Sequence, residues 1–354
     1  MIKFQRGNLL EAKAEALVNT VNCVGVMGKG IALQFKQAFP GNFRQYKQAC
    51  DRDEVKPGQM FTVATGSLLN PRYIINFPTK RHWKGNSNLE DIQTGLSALV
   101  AEVHQLKIQS IAIPPLGCGN GGLDWAIVKP LIVSAFADLL SVEVFVFEPG
   151  SAPTADQVQV NTDKPPMTRA RALVISLFDR YGIPGYRLGR LEAQKLAYLL
   201  QEAGEHGLKL EFKHHHYGPY ADKLNHALQR IDGHYIRGYG DRNQASQIHV
   251  LPQGRVEAQA FLADHQDAHQ RLEQVSQLIE GFETPYGMEM LATLHWVAQK
   301  HPHAAVDVEA AISDVQAWSD RKRNLFKPHH LRKAWQRLKD QGWLEALLMP
   351  PESP

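Results

Sequence analysis

Residues 111–125, IAIPPLGCGNGGLDW, restrict what the first half of this chain can fold into more than any other stretch. The apolar run 111–113 predicts a buried strand, which Pro114 and Pro115 stop. Gly117, Gly119, Gly121 and Gly122 leave the backbone open to φ > 0 and to close approach by a ligand. Asp124 is placed to N-cap a following helix, in which Val128, Leu131, Ile132, Ala135, Phe136 and Leu139 recur at helical spacing. Pro130 falls inside that pattern and predicts a kink or a later helix start. Strand, glycine loop and helix N-terminus together make the usual geometry for holding a phosphate. A plain tight turn is the other reading, but glycines this dense between strand and helix favour a ligand loop.

Gly117, Gly119 and Gly122 also spell G-x-G-x-x-G, with Glu143 following at about the twenty-residue spacing of dinucleotide folds. That fingerprint opens its domain and has further βα units after it. Here it lies in the last βα unit before a linker, which argues against a nicotinamide dehydrogenase.

A second glycine loop comes earlier. Residues 2–5 predict a short strand, Gly7-Asn8 a turn and residues 16–20 a second strand. The chain then runs through Asn19, Thr20 and Asn22 into CVGVMGKG at 23–30. A helix follows, with Ile31, Leu33, Phe35 and Phe39 as its apolar residues, and Pro40-Gly41 is expected to end it. The stretch is not a P-loop, because the G-x-x-x-x-G-K-[ST] spacing fails and Gly30 stands where the Mg²⁺-holding hydroxyl would be. Two glycine loops feeding two helix N-termini could grip both phosphates of a diphosphate without a metal, and no cofactor or metal is expected. Asn22, at the carboxyl end of its strand, either hydrogen-bonds a ribose diol or closes a local side-chain turn.

Residues 60–64 and 73–77 predict two more strands. The second leads into PTKRHWKGN at 78–86, which packs Lys80, Arg81, His82, Trp83 and Lys84 together. Loops leaving a sheet carry function more often than its core does, although a solvated basic loop is the alternative. An amphipathic helix follows, with Asn88 as N-cap, Asp91 behind it, and Leu89, Ile92, Leu96, Leu99, Val103 and Leu106 as its buried stripe. Residues 142–147, VEVFVF, close the region as a buried strand. Alternating strands and helices with continuous apolar strands predict an α/β fold, its mostly parallel sheet covered on both faces. Ligands of such sheets bind outside the carboxyl ends of the strands, where these loops lie.

The 354 residues are enough for two domains, and 44% apolar with 21% charged content is ordinary for a globular protein. No run of about 18 apolar residues suggests a membrane span. MIKFQRGNLL lacks the apolar core of a signal peptide. Cys23, Cys50 and Cys118 have no metal-ligand spacing, and three cysteines cannot all pair with one another, so a reducing cytoplasm is expected. Cys23 and Cys118 lie in the ligand loops, as reactive thiols or as small buried residues. The formal net charge of +3 says little about polyanionic partners.

Residues 148–167 are rich in Pro, Ser, Thr and Asp. They divide a domain at 1–150 from one at 168–354 through a linker at 151–167. Helical spacing recurs at 170–181, 191–200, 221–231, 256–279, 288–299, 308–318 and 331–339. Gly182-Ile183-Pro184-Gly185 is a turn, and Trp343-Leu344-Glu345 is expected to be a strand ending a small winged-helix-like unit. His214-His215-His216 have no Asp or Cys at ligand spacing, so a loop or strand edge beside Tyr217-Gly218-Pro219-Tyr220 is favoured over a metal site. The basic segment 321–339 is either a nucleic-acid contact or a solvated helix face.

Taken in order, RGNLL, ALVNTVNCVGVMGKGIALQFKQAFP and PPLGCGNGGLDW resemble the macrodomains, the ADP-ribose-binding modules, over residues 1–150. Among macrodomains, the TKRHWKG loop and the long C-terminal extension are most similar to the DarG-type DNA ADP-ribosyl glycohydrolase antitoxins. The resemblance implies a three-layer α/β fold with a mixed, mostly parallel sheet, followed by a mainly helical toxin-binding domain. It implies a substrate, ADP-ribose attached to thymine in single-stranded DNA by a DarT-type toxin. Asn8 and Leu9 would lie near adenine and Asn22 at the distal ribose. Gly28, Lys29, Gly30 and Ile31 would surround the diphosphate with Leu116, Gly117, Cys118, Gly119, Asn120, Gly121 and Gly122. Lys80 matches the catalytic lysine, acting as acid, electrostatic stabiliser or nucleophile. Arg81, His82, Trp83 and Lys84 would hold the DNA strand. A protein or small-molecule ADP-ribosyl hydrolase and a non-catalytic ADP-ribose reader are the alternatives. One departure stands out. A related protein-directed glycohydrolase macrodomain carries an aspartate at the position of Gly121, so no lysine–aspartate pair is assumed, and Asp124 is read as a helix cap.

Overall fold

The computed structural model describes residues 1–150, 153–154, 157–182, 185–186, 188–240 and 247–348. The chain divides into two compact units, Met1–Asp163 and Lys164–Pro354.

The first unit runs β1 (Ile2–Gln5), β2 (Ala16–Asn22), α1 (Gly30–Ala38), α2 (Pro40–Asp51), β3 (Phe61–Ala64) and β4 (Tyr73–Lys80). It continues with α3 (Leu89–Gln105), β5 (Ser110–Ile113), α4 (Trp125–Ala135) and β6 (Glu143–Phe147). The six strands form one sheet in the order β1-β6-β5-β2-β4-β3. Every pairing is parallel except β3 with β4, so the sheet is mixed and mostly parallel.

Strand residues point alternately to the two faces, which sorts the core. Ala16, Val18, Ile75, Phe77, Ile111 and Ile113 meet the α3 and α4 stripe of Ile92, Leu96, Leu99, Val128 and Ile132. The residues between them, Leu17, Ile74 and Ala112, pack with Phe35 and Ala38 of α1 on the other face. Helices on both faces make three layers. Because β2, β4 and β5 are parallel, their carboxyl ends share one edge, and the loops after Asn22, Lys80 and Ile113 all leave from it.

Pro40-Gly41 does not close the helical region. Phe39 ends α1, and Pro40 opens α2, where a first-turn proline costs nothing because that N–H has no helical partner. Pro130 is accommodated inside α4. Asn88 occupies the N-cap position of α3 without a side-chain cap bond. The stretch after β6 stays with the first unit through Asn161, whose amide and side chain donate to the carbonyls of Gln37 and Ala38 at 2.8 Å each.

The second unit holds α5 (Arg169–Gly182), α6 (Arg190–Glu202), α7 (Asp222–Ile231), β7 (Ile236–Arg237), β8 (His249–Val250), α8 (Pro252–Leu262) and α9 (Gln266–Ile279). After these come α10 (Pro285–Lys300), α11 (His303–Val306), α12 (Val308–Ala317), α13 (Asp320–Leu325) and α14 (Pro328–Asp340). It is mainly helical, with α6 and α10 buried on nearly every side as its centre. The expected single helix over 256–279 is two. Leu262 and Ala268 are both buried but six positions apart, which a straight helix would set on different faces, so the chain turns at 263–265. Residues 343–345 are turn rather than strand. Gly342 takes φ 75°, the Trp343 amide donates back to Leu338 at 2.9 Å, and Trp343 and Leu344 tuck into the core. Among the described residues no strand follows α14, and no wing forms there. Ile183 and Pro184 of the expected turn at 182–185 lie outside the described residues.

His214–His216 form a loop closed by a Lys213–Tyr220 bridge, with His214 stacked on Trp318 at 3.9 Å. The start of the basic 321–339 segment is tied into the core rather than spread over a solvated face. Arg321 donates to Glu289 at 2.6 and 3.0 Å, and the fully buried Lys322 donates to the same carboxylate at 2.7 Å.

Candidate functional site

The site is built at the carboxyl edge of the first sheet. The β2–β4 register slips by one residue between Val21 and Asn22, and the slip sets Asn22 level with Lys80. Two residues far apart in sequence therefore end neighbouring strands side by side. Strand β4 runs three residues beyond its expected end, so Lys80 is the last residue of a strand and not part of a mobile loop.

Lys80 Nζ donates to the backbone carbonyl of Asn120, in the loop after β5. The Asn120 side chain in turn lies against Gly30, where a Cβ would come within 3.0 Å of its Nδ2. The loop 23–30 and the loop 114–124 thus meet, with the lysine bridging to the second. Lys80 is held below the usual lysine range, first by partial burial and then by the charge of Lys29. Two cations thus lie together at this edge, one of them releasing its proton more readily than an ordinary lysine.

The two loops feed their helices differently. Asp124 caps α4 by accepting from the Ala126 amide at 2.9 Å, so a carboxylate already occupies that helix N-terminus. The N-cap of α1, Lys29, makes no side-chain cap bond. The two helix starts thus differ: α4 begins with a carboxylate on its first-turn amides, whereas α1 begins without a side-chain cap.

That loop is stiff. The amides of Cys118, Gly122 and Leu123 donate to Pro115, Gly119 and Gly117, and Gly121 accepts from the Ser87 amide at 2.9 Å. Gly117 and Gly122 take φ of 70° and 77°, the left-handed region that glycine enters at least cost. Gly121 is glycine for a different reason. A Cβ there would lie 2.2 Å from the Gly117 carbonyl oxygen and 2.3 Å from Ser87 Oγ. Any side chain at position 121, an aspartate included, would collide with the Gly117 carbonyl and with Ser87.

Asn22 carries out the local role that its residue type allowed. Its Oδ1 accepts from the amides of Val24 and Val26 at 3.0 and 3.3 Å, and its Nδ2 donates to the Val26 carbonyl. It therefore shapes the first glycine loop. Asn8 caps the 3₁₀ turn Leu9–Glu11 by accepting from Leu10, and Leu9 is buried beneath it. Leu116 is fully buried and anchors the second loop from below, while Ile31 packs beside Phe35 and Leu9. Burial pushes the Cys23 and Cys118 thiols up to about 11, so neither is an activated nucleophile at neutral pH.

Beyond Lys80 the chain becomes exposed. Arg81 leans back onto Asp91 at 3.0 Å, spending part of its charge there. His82 stacks on Trp83, Lys84 lies over the same ring at 5.1 Å, and Trp83 is about half exposed. The result is an exposed aromatic platform flanked by a cation, a few residues beyond Lys80.

Sequence reasoning missed the support beneath the site. Asn19, Asn42 and Asn76 form a buried amide cluster, with Asn76 Oδ1 accepting from Asn19 at 2.9 Å and from Asn42 at 3.2 Å. Tyr46 OH donates to the Asn22 carbonyl at 2.6 Å. The signal was asparagine inside apolar strands at 19 and 76, where a buried amide needs partners.

Residues 18–132 match the Macro domain family. A DNA ADP-ribosyl glycohydrolase of Thermus aquaticus is 52% identical over 329 residues, covering 93% of this chain and 91% of the relative. This chain belongs to the DNA ADP-ribosyl glycohydrolase family. A second member, from Mycobacterium tuberculosis, is 40% identical over 354 residues, 96% of this chain and 99% of its own length. The likeness to the family thus extends through both units, well past the macrodomain. A fusion protein of Thermosipho africanus, named for a DNA ADP-ribosyl transferase joined to a DNA ADP-ribosyl glycohydrolase, is 34% identical over 156 residues, 40% of each chain. No helix among the described residues is long and apolar enough to cross a membrane.

Proposed function

We propose that the first unit hydrolyses the N-glycosidic bond between ADP-ribose and a thymine base in single-stranded DNA. The observation that carries the reading is the position of Lys80, beside Asn22 at the strand ends and bonded to the Asn120 carbonyl. Cleavage builds oxocarbenium character on the ribose and negative charge on the departing base. A protonated Lys80 with a lowered pKa suits donation to that base or steadying of its charge, because a weaker-held proton is more easily given up. Water then adds to the ribose carbon and gives its proton to the deprotonated Lys80, or to the base where Lys80 kept its own, so that free ADP-ribose and the restored base result. In its neutral form the same amine could attack the ribose, a covalent route that borohydride trapping would distinguish.

The N-terminus of α1, Gly28, Lys29, Gly30 and Ile31 serve the diphosphate together with 116–122. Asn8 and Leu9 lie toward the adenine. Asn22 serves the distal ribose, by its place beside Lys80 and by the turn it closes. Fixing the diphosphate between two joined loops supplies part of the acceleration through positioning. Trp83 stacks on a base and Lys84 meets the DNA backbone, with Arg81 and His82 supporting them.

The second unit is proposed to bind and neutralise a DarT-type toxin that writes the mark. The fusion of transferase and glycohydrolase in the Thermosipho relative supports the pairing. Incubation with single-stranded DNA carrying ADP-ribosyl thymine, alongside Lys80→Ala, tests the enzyme. Release of ADP-ribose that vanishes in the variant is expected. Tight ADP-ribose binding without release would favour a reader, and release from modified protein alone would favour a protein-directed hydrolase. Co-purification of the toxin with residues 164–354 tests the second half.

A further inference from the structure

We propose that His301, His303 and Asp314 in the second unit bind a transition-metal ion of the zinc type. The three come from three helices' ends and faces. His301 caps α10, His303 opens α11 and Asp314 sits on α12. Nδ1 of His301 lies 2.7 Å from Oδ2 of Asp314, and Nε2 of His303 lies 3.0 Å from the same oxygen. All three donor atoms fall within 4.8 Å of one another.

Tetrahedral zinc with bonds of about 2.0–2.1 Å holds its ligand atoms about 3.3 Å apart. The two nitrogen–oxygen pairs would open by only a few tenths of an ångström to admit the ion. Each imidazole binds through an unprotonated nitrogen, so any proton that either ring directs at Asp314 leaves to solvent or moves to that ring's other nitrogen. Two imidazoles and one carboxylate suit zinc, cobalt, nickel or copper, whereas magnesium and calcium prefer all-oxygen shells. The histidine side chains are about half exposed, leaving a water to complete the set.

The backbone beneath is already fixed. The His301 amide donates to Val297 at 2.8 Å, and Ala304 and Ala305 are buried. Trp335 Nε1 donates to the Ala304 carbonyl at 2.9 Å, and Ala311 and Val315 hold α12 to the core. Little conformational entropy therefore remains to be lost on binding. The ion would tie the ends of α10, α11 and α12 together and stabilise the second unit. The proposal is independent of the glycohydrolase reading, since all three ligands belong to Lys164–Pro354. Neither the three cysteines nor His214–His216 supply these ligands, which a helical corner joins instead.

The test uses the full, untagged chain after chelator treatment, titrated with zinc chloride by calorimetry and melted with and without the ion. One equivalent bound with a raised Tm is expected, together with a cobalt spectrum free of thiolate charge transfer. Asp314→Asn should weaken binding by about tenfold or more, and His301→Ala with His303→Ala should abolish it. The apo histidine variant should melt close to the apo wild type, because those two side chains are about half exposed. Absence of stoichiometric binding would overturn the proposal. So would binding unchanged in the variants, or a cobalt–thiolate band assigning the ion to Cys23, Cys50 or Cys118.

Discussion

Gly119 and Gly121 are indistinguishable in a glycine-loop motif, yet the structure assigns them opposite tolerance. Neither lies in the left-handed region, so the difference is one of space. A Cβ on Gly119 meets nothing within 4 Å. A Cβ on Gly121 lies 2.2 Å from the Gly117 oxygen, 2.8 Å from its carbonyl carbon and 2.3 Å from Ser87 Oγ. Restoring an ordinary contact of 3.4 Å needs a shift of about 1.2 Å, and the closest partner is backbone that cannot rotate away. Overpacking of this kind costs about 1–3 kcal/mol. At roughly 2–4 °C per kcal/mol for a unit of this size, the first unit's Tm should fall by about 2–12 °C in Gly121→Ala. Displacing the Asn120 carbonyl and its Lys80 contact by about 1 Å should cost on the order of a hundredfold in kcat/KM. Gly119→Ala should keep its Tm. The assays are thermal melts, ADP-ribose calorimetry and release from modified single-stranded DNA. Removing Ser87 Oγ in Gly121→Ala/Ser87→Ala should not rescue activity, because the carbonyl contact remains. Equal behaviour of the two single variants in all three assays would refute the reasoning.

Lys80→Ala should abolish release while ADP-ribose still binds. If Lys80 acts protonated, its lowered pKa sets an alkaline limb of kcat at a pH below that of an ordinary lysine, about 10.4. Lys29→Met should move that limb upward by removing the neighbouring charge, and a pH profile that does not move would count against the coupling. Trp83→Ala should weaken single-stranded DNA binding by about 5–150-fold, from about 1–3 kcal/mol per stacked base, and leave ADP-ribose affinity unchanged. An equal loss for both ligands would place Trp83 elsewhere in the mechanism. In the second unit, burial and then the Lys322 charge bring Lys195 down to about 7. The folded chain sheds this proton near pH 7 while the unfolded chain keeps it to about 10.4, so stability should rise with pH between those values. Lys195→Met should flatten that slope in denaturant melts, and an unchanged slope would refute the assignment.

Much of the first unit was legible because its signals are local and periodic. Buried strands such as Ser110–Ile113 and stripes such as Ile92, Leu96 and Leu99 advertise themselves within a few residues. What escaped was decided by partners distant in the chain. Pro40 can stop one helix or start the next, and only Phe39 serving both ends settles which. Asp91 is the first-turn acid of α3 that its position predicts, and its pairing with Arg81 was not visible in the sequence. Lys322 looked like one more basic surface residue and is the fully buried counter-charge of Glu289. A charge tally cannot see this, because burying a cation depends on a carboxylate that sits on another helix.

The site shows the same division at finer grain. Lys80 and both glycine loops stand out by residue type, but type alone does not bring them together. Their meeting depends on a one-residue register slip between Val21 and Asn22, which the sequence does not display. Without that slip Asn22 would lie level with Thr79, a residue whose side chain is buried against the Val21 carbonyl. The reach of Lys80 to Asn120 similarly requires the second loop to stay where Ser87 and Gly117 hold it. Chemistry at this edge therefore rests on residues that never touch the ligand. The buried Asn19, Asn42 and Asn76 amides and Tyr46 fix the strand ends, and Ser87 fixes the loop. A lysine moved one strand position along would keep its charge and lose its place, so the register, as much as the residue, determines whether this fold can be an enzyme.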